Sequence, residues 1–205
     1  MNVLALDIDG VLLDPGRHGL GPWQSELASR FGVDADRLRA AFFEPAWPDV
    51  VVGRRAIEPA LAAALDDLGW AVTVDQLLAC WFEADLVVER EVVEAARSWA
   101  AEGARLVLVT NQEHRRASFL SHRLGAFLPI SAMAYSAALG LLKSDPAFYP
   151  AASRTLGLQR DDTVVFVDDT ADNVEAARRY GWSAVHFDKD GDWPGQITSA
   201  FSPPN

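Results

Sequence analysis

The sequence predicts an α/β protein, a doubly wound parallel sheet with an inserted α-helical cap. Three observations predict it: five short β-rich apolar runs, helical segments alternating with the later runs, and one interval between the first and second runs that is far too long for a single crossover.

The apolar runs are Val3–Ile8, Ala104–Thr110, Ala132–Ser136, Thr163–Val167 and Ser183–Phe187. Near-continuous apolar composition is what strands covered on both faces need. Between the later runs lie "EHRRASFLSHRLG", "DPAFYPAASRTLG" and "TADNVEAARRYG", each with helical periodicity and each closed by a glycine suited to a left-handed C-cap. The first interval holds about ninety residues, where a crossover helix needs about a dozen. Helices are predicted there near Pro22–Phe31, Asp36–Phe43, Arg54–Leu68, Val74–Phe82 and Glu89–Glu102. Residues 16–88 form the predicted helical cap, and 1–15 with 89–205 the predicted Rossmann-like sheet core. The terminal "FSPPN" reads as a loose tail.

Composition narrows the function. The chain has 205 residues, half of them hydrophobic, enough for one full core and a smaller second one. Its net charge of −11 would repel a phosphate backbone, so nucleic acid is not an expected partner. No apolar stretch has the length of a membrane span, and the run before Asp7 is too short for a signal peptide. The single cysteine, Cys80, lies in "LLACWF" and reads as a buried structural thiol, so a cytoplasmic location is expected. Nothing in the sequence bears on oligomeric state.

In open parallel sheets the ligand lies beyond the carboxyl ends of the strands. The residues there are Asp7 and Asp9 after the first run, Thr110 and Asn111 after the second, and Asp168 and Asp169 after the fourth, with Lys143 a short loop beyond the third. Any one of these is more often a turn former than a catalyst; complementary groups at the ends of several strands are not expected from turns alone. Crowded carboxylates repel one another unless a cation is present, and Mg²⁺ prefers carboxylate and phosphate oxygens. With that charge screened, an aspartate can attack phosphorus, and a second can protonate the leaving oxygen and then deprotonate water.

The order "LDIDGVLLD", "LVTNQ", "LLKSDPAFY", "VFVDDTADNVEAARRYGW" resembles the haloacid dehalogenase-like hydrolases over nearly the whole chain, with the helical insertion where that family carries a small cap. The resemblance implies Asp7 as nucleophile and Asp9 as general acid/base. It implies Thr110 and the Asn111 backbone as phosphoryl-binding groups, with Lys143 steadying nucleophile and phosphate. The implied Mg²⁺ ligands are Asp7, the Asp9 carbonyl and Asp169, supported by Asp168 and Asn173. Members that cleave carbon–halogen bonds lack an acid at the Asp9 position, so its presence favours phosphoryl transfer. The loop Lys143-Ser144-Asp145-Pro146 differs from the Lys-Pro-Asp-Pro common in relatives, and the cap segment "VVGRRAIEPALAAALDDLGW" resembles the sugar-phosphatase-like branch.

The resulting expectation is an Mg²⁺-dependent phosphatase of a small phosphorylated metabolite, with a phosphomutase as the alternative. A receiver-type signalling domain is disfavoured, because its phosphorylated Asp would end the third run, which here ends in Ser136. An inert binding protein would be expected to have lost the nucleophile or the lysine. Arg54, Arg55, His18, His114 and His122 read as surface groups. The tryptophans, Trp23 and Trp47 included, read as packing residues rather than a sugar-stacking platform. The second Asp-x-Asp-Gly, Asp188–Gly191, ends the last run with no later strand to complete a site, and reads as an acidic turn.

Overall fold

The computed structural model describes residues 1–14, 16 and 22–202, the flap histidine His18 lying outside them. Five parallel strands form one sheet in the order β3-β2-β1-β4-β5: β1 (Asn2–Leu6), β2 (Arg105–Thr110), β3 (Ile130–Tyr135), β4 (Thr163–Asp168) and β5 (Ser183–His186). The expected doubly wound sheet is present, with β1 at its centre. Leu6 pairs with both Leu108 and Val167, while Thr110 pairs with Tyr135. This register brings the carboxyl ends of the three central strands to one edge.

Side-chain alternation along the strands divides the sheet's packing into two layers. Leu4, Leu6, Leu106, Leu108, Val165 and Val167 pack with Val92, Val93 and Ala96 of α6 (Arg90–Ala101), Leu120 and Leu124 of α7 (His114–Gly125), and Ile197 of α11 (Trp193–Phe201). Val3, Ala5, Val107, Val109 and Phe166 pack with Phe148, Tyr149 and Ala152 of α9 (Phe148–Leu156) and with Val174 and Ala177 of α10 (Ala171–Tyr180).

Between β1 and α6 the chain builds a helical layer from α1 (Pro22–Phe31), α2 (Ala35–Leu38), α3 (Trp47–Val50), α4 (Ile57–Leu68) and α5 (Val74–Ala84). It has its own apolar cluster, including Leu27, Phe42, Leu61, Leu65, Leu78 and Trp81. Trp23 and Trp47 both pack on Trp81, with ring centroids 5.4 and 5.8 Å away. Helix α5 starts at a capping box in which Thr73 and Gln76 satisfy each other's backbone N–H groups. The two chain segments that join this layer to the sheet are hydrogen-bonded together: the Asp14 amide donates to the Val87 carbonyl at 2.9 Å, and that of Glu89 to Leu12 at 2.9 Å.

Several local expectations change. The segment Asp36–Phe43 divides into α2 and a π-helical turn, Arg39–Phe43. Arg54 and Arg55 do not open a helix: Gly53 turns the chain at φ 71°, both arginine amides bond the Asp49 carbonyl, and α4 begins only at Ile57. Gly125 is not a left-handed cap. The chain continues past it in a turn on Leu124, whereas Gly157 and Gly181 do take left-handed conformations. Of the expected tail, Phe201 belongs to α11, which starts behind an Asp192 N-cap, while 203–205 lie outside the described residues. A short helix, α8 (Ser136–Leu139), precedes the Lys143 loop. No helix among the described residues is long and apolar enough to cross a membrane.

Candidate active site

Asp7 follows β1 directly, its amide bonded to the Val167 carbonyl at 3.0 Å. Lys143 reaches it from the loop after α8. Its Nζ lies 2.5 Å from Asp7 Oδ2 and 2.7 Å from Asp168 Oδ2, and it is 2% exposed. Asn111 fixes that loop by accepting the Lys143 backbone N–H on Oδ1 at 3.0 Å. Asp168 ends β4 and is held a second and third time, by the Thr170 amide at 2.8 Å and by Asn173 Nδ2 at 3.1 Å. The Tyr149 hydroxyl in turn donates to the Asn173 carbonyl at 2.7 Å, anchoring the start of α10 from below.

Burial drives the electrostatics. It pushes the Asp7 carboxyl up to about 7, Lys143 pulling it down and Asp168 pushing it further up. Burial disfavours the charged Lys143 as well, yet the two carboxylates outweigh that and push its pKa upward. The lysine therefore stays a cation wedged between two acids.

Carboxylate oxygens of Asp7, Asp168 and Asp169 can all lie within 4.8 Å of one another. Hard oxygen donors at this spacing fit Mg²⁺. The backbone is shaped to bring Asp169 in: Gly10 takes φ 84°, and a Cβ there would stand 2.2 Å from Asp169 Oδ2. Thr110, 1% exposed, closes the same edge at the end of β2.

Asp9 is arranged differently. Its carboxylate turns toward α7, where Arg116 donates from Nη1 to Oδ2 at 2.6 Å and from Nη2 to Oδ1 at 2.8 Å, and Gln112 Nε2 adds 2.6 Å to Oδ2. Burial opposes its charge, but the guanidinium and the amide prevail and hold the carboxyl below the usual range. Arg116 is buried and also meets Asp85 Oδ2 at 3.7 Å, an oxygen that accepts the Trp81 indole N–H at 2.8 Å. Burial lifts Asp85 to about 6, with Arg116 opposing. The N-terminus of α7 is capped by Glu113, which accepts the Arg115 and Arg116 amides and so fixes the height of Arg116.

Sequence reasoning passed over Arg116, Gln112 and Asp85. The signal for the first was present: Arg116 shares a helical stripe with Leu120 and Leu124, so it is the charged member of a core-facing row. The other singled-out residues lie apart. Arg54 pairs with Asp49 on the surface, His114 bonds the Tyr135 hydroxyl at 3.2 Å, and Cys80 is buried, its thiol pushed up by that burial. Asp188–Gly191 is an exposed turn closed by Gly191 on the Asp188 carbonyl.

The helical layer closes over the edge from the other side. The Ser136 hydroxyl donates to the Val51 carbonyl at 2.6 Å, and Gly53 approaches the Ala137 carbonyl so tightly that a Cβ would lie 2.4 Å from it. Arg115 pairs with Asp75 at 2.7 Å and Arg123 with Glu83 at 2.6 Å.

A parallel α/β sheet with a helical insertion thus presents a strand-end set of carboxylates around a buried lysine. The family model for haloacid dehalogenase-like hydrolases matches residues 1–181, and the chain belongs to that family. It is similar to the enolase-phosphatase E1 of Streptomyces avermitilis, 31% identical over 104 residues; that match takes in 50% of this chain and 43% of the relative, so it spans less than half of the relative's length. Among solved structures it is similar to a HAD-family enzyme of Bacteroides thetaiotaomicron in complex with magnesium and inorganic phosphate, with TM-score 0.73, 15% identity, and 94% and 96% of the two chains covered. An L-2-haloacid dehalogenase matches with TM-score 0.62, 19% identity, and 90% and 83% coverage. At these identities the structural matches speak for the fold.

Proposed function

We propose that this hydrolase is an Mg²⁺-dependent phosphatase of a small phosphorylated metabolite, working through an aspartyl-phosphate on Asp7. The observation that carries the reading is the second carboxylate, Asp9, two residues beyond the first and oriented separately by Arg116 and Gln112. Displacing a halide needs no proton donor at that point, whereas expelling an alkoxide does. The phosphate and magnesium held by the Bacteroides relative, and the phosphatase name of the Streptomyces relative, support the same reading.

Asp7, Asp168 and Asp169 would hold Mg²⁺, with the Asp9 carbonyl as a further oxygen. Bound there, the ion supplies positive charge that offsets the carboxylates and the phosphoryl oxygens. The chain's own groups do the remainder. Asp7 presents a carboxylate oxygen to phosphorus, and Lys143 holds that carboxylate and balances charge on the transferring group. Thr110 and the Asn111 backbone bind phosphoryl oxygens. Asp9, once it has taken a proton from solvent, gives that proton to the leaving oxygen, its carboxyl aimed by the Arg116 and Gln112 hydrogen bonds. It then takes a proton from the water that hydrolyses the acyl phosphate, in the ionised form that Arg116 favours.

The test is Asp7→Asn. Phosphate release from 4-nitrophenyl phosphate with Mg²⁺ should fall to background while the far-UV circular dichroism stays that of the wild type. Full activity in this variant overturns the mechanism. Interconversion of hexose phosphates without release of free phosphate would replace hydrolysis by the mutase reading.

A further inference from the structure

Two buried polar atoms at the junction between the helical layer and the sheet lack partners among the described residues, Asp85 Oδ1 and Arg116 Nε. They belong to the same contact. Arg116 uses the Nη1/Nη2 end of its guanidinium, fork to fork, on the two oxygens of Asp9. Its other edge, Nε and Nη2, is left toward Asp85, whose Oδ2 stands 3.7 Å from Nη2. That is too long for a hydrogen bond, and the two orphaned atoms are the remaining halves of the side-on fork that this edge would form with a carboxylate. Both side chains are only 6% exposed, so water is not a ready substitute. Asp85 caps the end of α5 and is held there by Trp81 Nε1 at 2.8 Å, so its position reports the position of that helix.

We propose that Arg116 is a positioning residue that ties helix α5 to Asp9, an advance of α5 pairing Asp85 side-on with the guanidinium whose end fork orients the acid/base. Closure of the helical layer is then registered at the carboxyl that handles the proton. The inference rests on the reading of Asp9 as the acid/base. It goes beyond that reading in giving Asp85 and helix α5 a part, since neither belongs to the phosphoryl or metal set.

The experiment compares phenyl phosphate, whose phenolate leaves poorly without a proton, with 4-nitrophenyl phosphate, whose leaving group needs little help. Wild type, Asp85→Asn, Arg116→Gln and the double variant are assayed with Mg²⁺. Asp85→Asn should lower kcat for phenyl phosphate about tenfold more than for the nitrophenyl ester, with KM changed less than about twofold. Arg116→Gln should do the same, and the double variant should be no worse than Arg116→Gln, because one linkage has been cut twice. Equal losses on both esters would mark a merely structural role and overturn the proposal, as would additive losses or an unaffected Asp85→Asn. Asp9→Asn is the control for the underlying reading. If it keeps full kcat on phenyl phosphate, the acid/base assignment has failed and this proposal falls with it; if it does not and the Asp85 variant is silent, only the coupling has failed.

Discussion

Taking the charge off Asp7 should make the metal-free protein less sensitive to pH. The folded Asp7 carboxyl stands at about 7 against an ordinary 3.8, because burial opposes the charge more strongly than Lys143 relieves it. When the folded pKa is the higher one, the folded state holds an extra proton between the two values, so stability falls as pH rises through that window. Three pH units at about 1.4 kcal/mol each give a loss of about 4 kcal/mol, complete by roughly pH 7. Asp7→Asn has no charge to bury and should not suffer it. Urea unfolding with a chelator present should find wild type and variant alike near pH 4, and the variant ahead by about 4 kcal/mol at pH 8. Asp85, lifted to about 6, adds a slope of the same sign to both proteins and cancels in the difference. Parallel stability curves, or a wild type that gains on the variant as pH rises, would refute the reasoning.

The same buried charge predicts a response to metal. Mg²⁺ at a hundred times its Kd should add about 2.7 kcal/mol near neutral pH, a rise of roughly 5–10 °C in Tm by scanning calorimetry, and Asp169→Asn should abolish the rise. Gly10→Ala would force a methyl into Asp169 Oδ2 at a backbone φ of 84°; it should weaken Mg²⁺ binding tenfold or more by titration calorimetry and cost about 1–2 kcal/mol of stability. Unchanged Mg²⁺ affinity in that variant would remove Asp169 from the ligand set.

The strands were legible because burial on both faces leaves near-continuous runs such as "VLAL" and "VVFV", and the register then brings Asp7, Thr110 and Asp168 to one edge without further information. Lys143 was legible as a cation in the right loop, but not its wedge between two acids. The part that stayed hidden depends on side chains meeting across about a hundred residues of sequence. Arg115 and Arg116 are adjacent and chemically identical, yet one is half-buried against acids of the helical layer and the other is buried against Asp9. Only the helical phase set by the Glu113 cap separates them. Helix α11 was missed for a nearer reason: its start signal, Asp192 followed by Pro194, lies just after an acidic turn and reads as more of the same loop.

The paired segments Leu12–Asp14 and Val87–Glu89 bear on how such a molecule can change. The chain leaves the sheet and returns to it at one spot, where two backbone hydrogen bonds already hold the ends together. What lies between them is attached like a cassette: the ends would remain a ladder's width apart whatever helices were placed there, and the strand-end acids would keep their register. The contacts to be rematched in any exchange include the Val51 carbonyl and the Gly53 backbone against the Ser136 turn, Asp75 and Glu83 against Arg115 and Arg123, Phe82 against Phe119, and Asp85 against Arg116. On the proposed reading, the acids that would carry the chemistry stay with the sheet, and the helices that would meet the substrate could be exchanged as a single block.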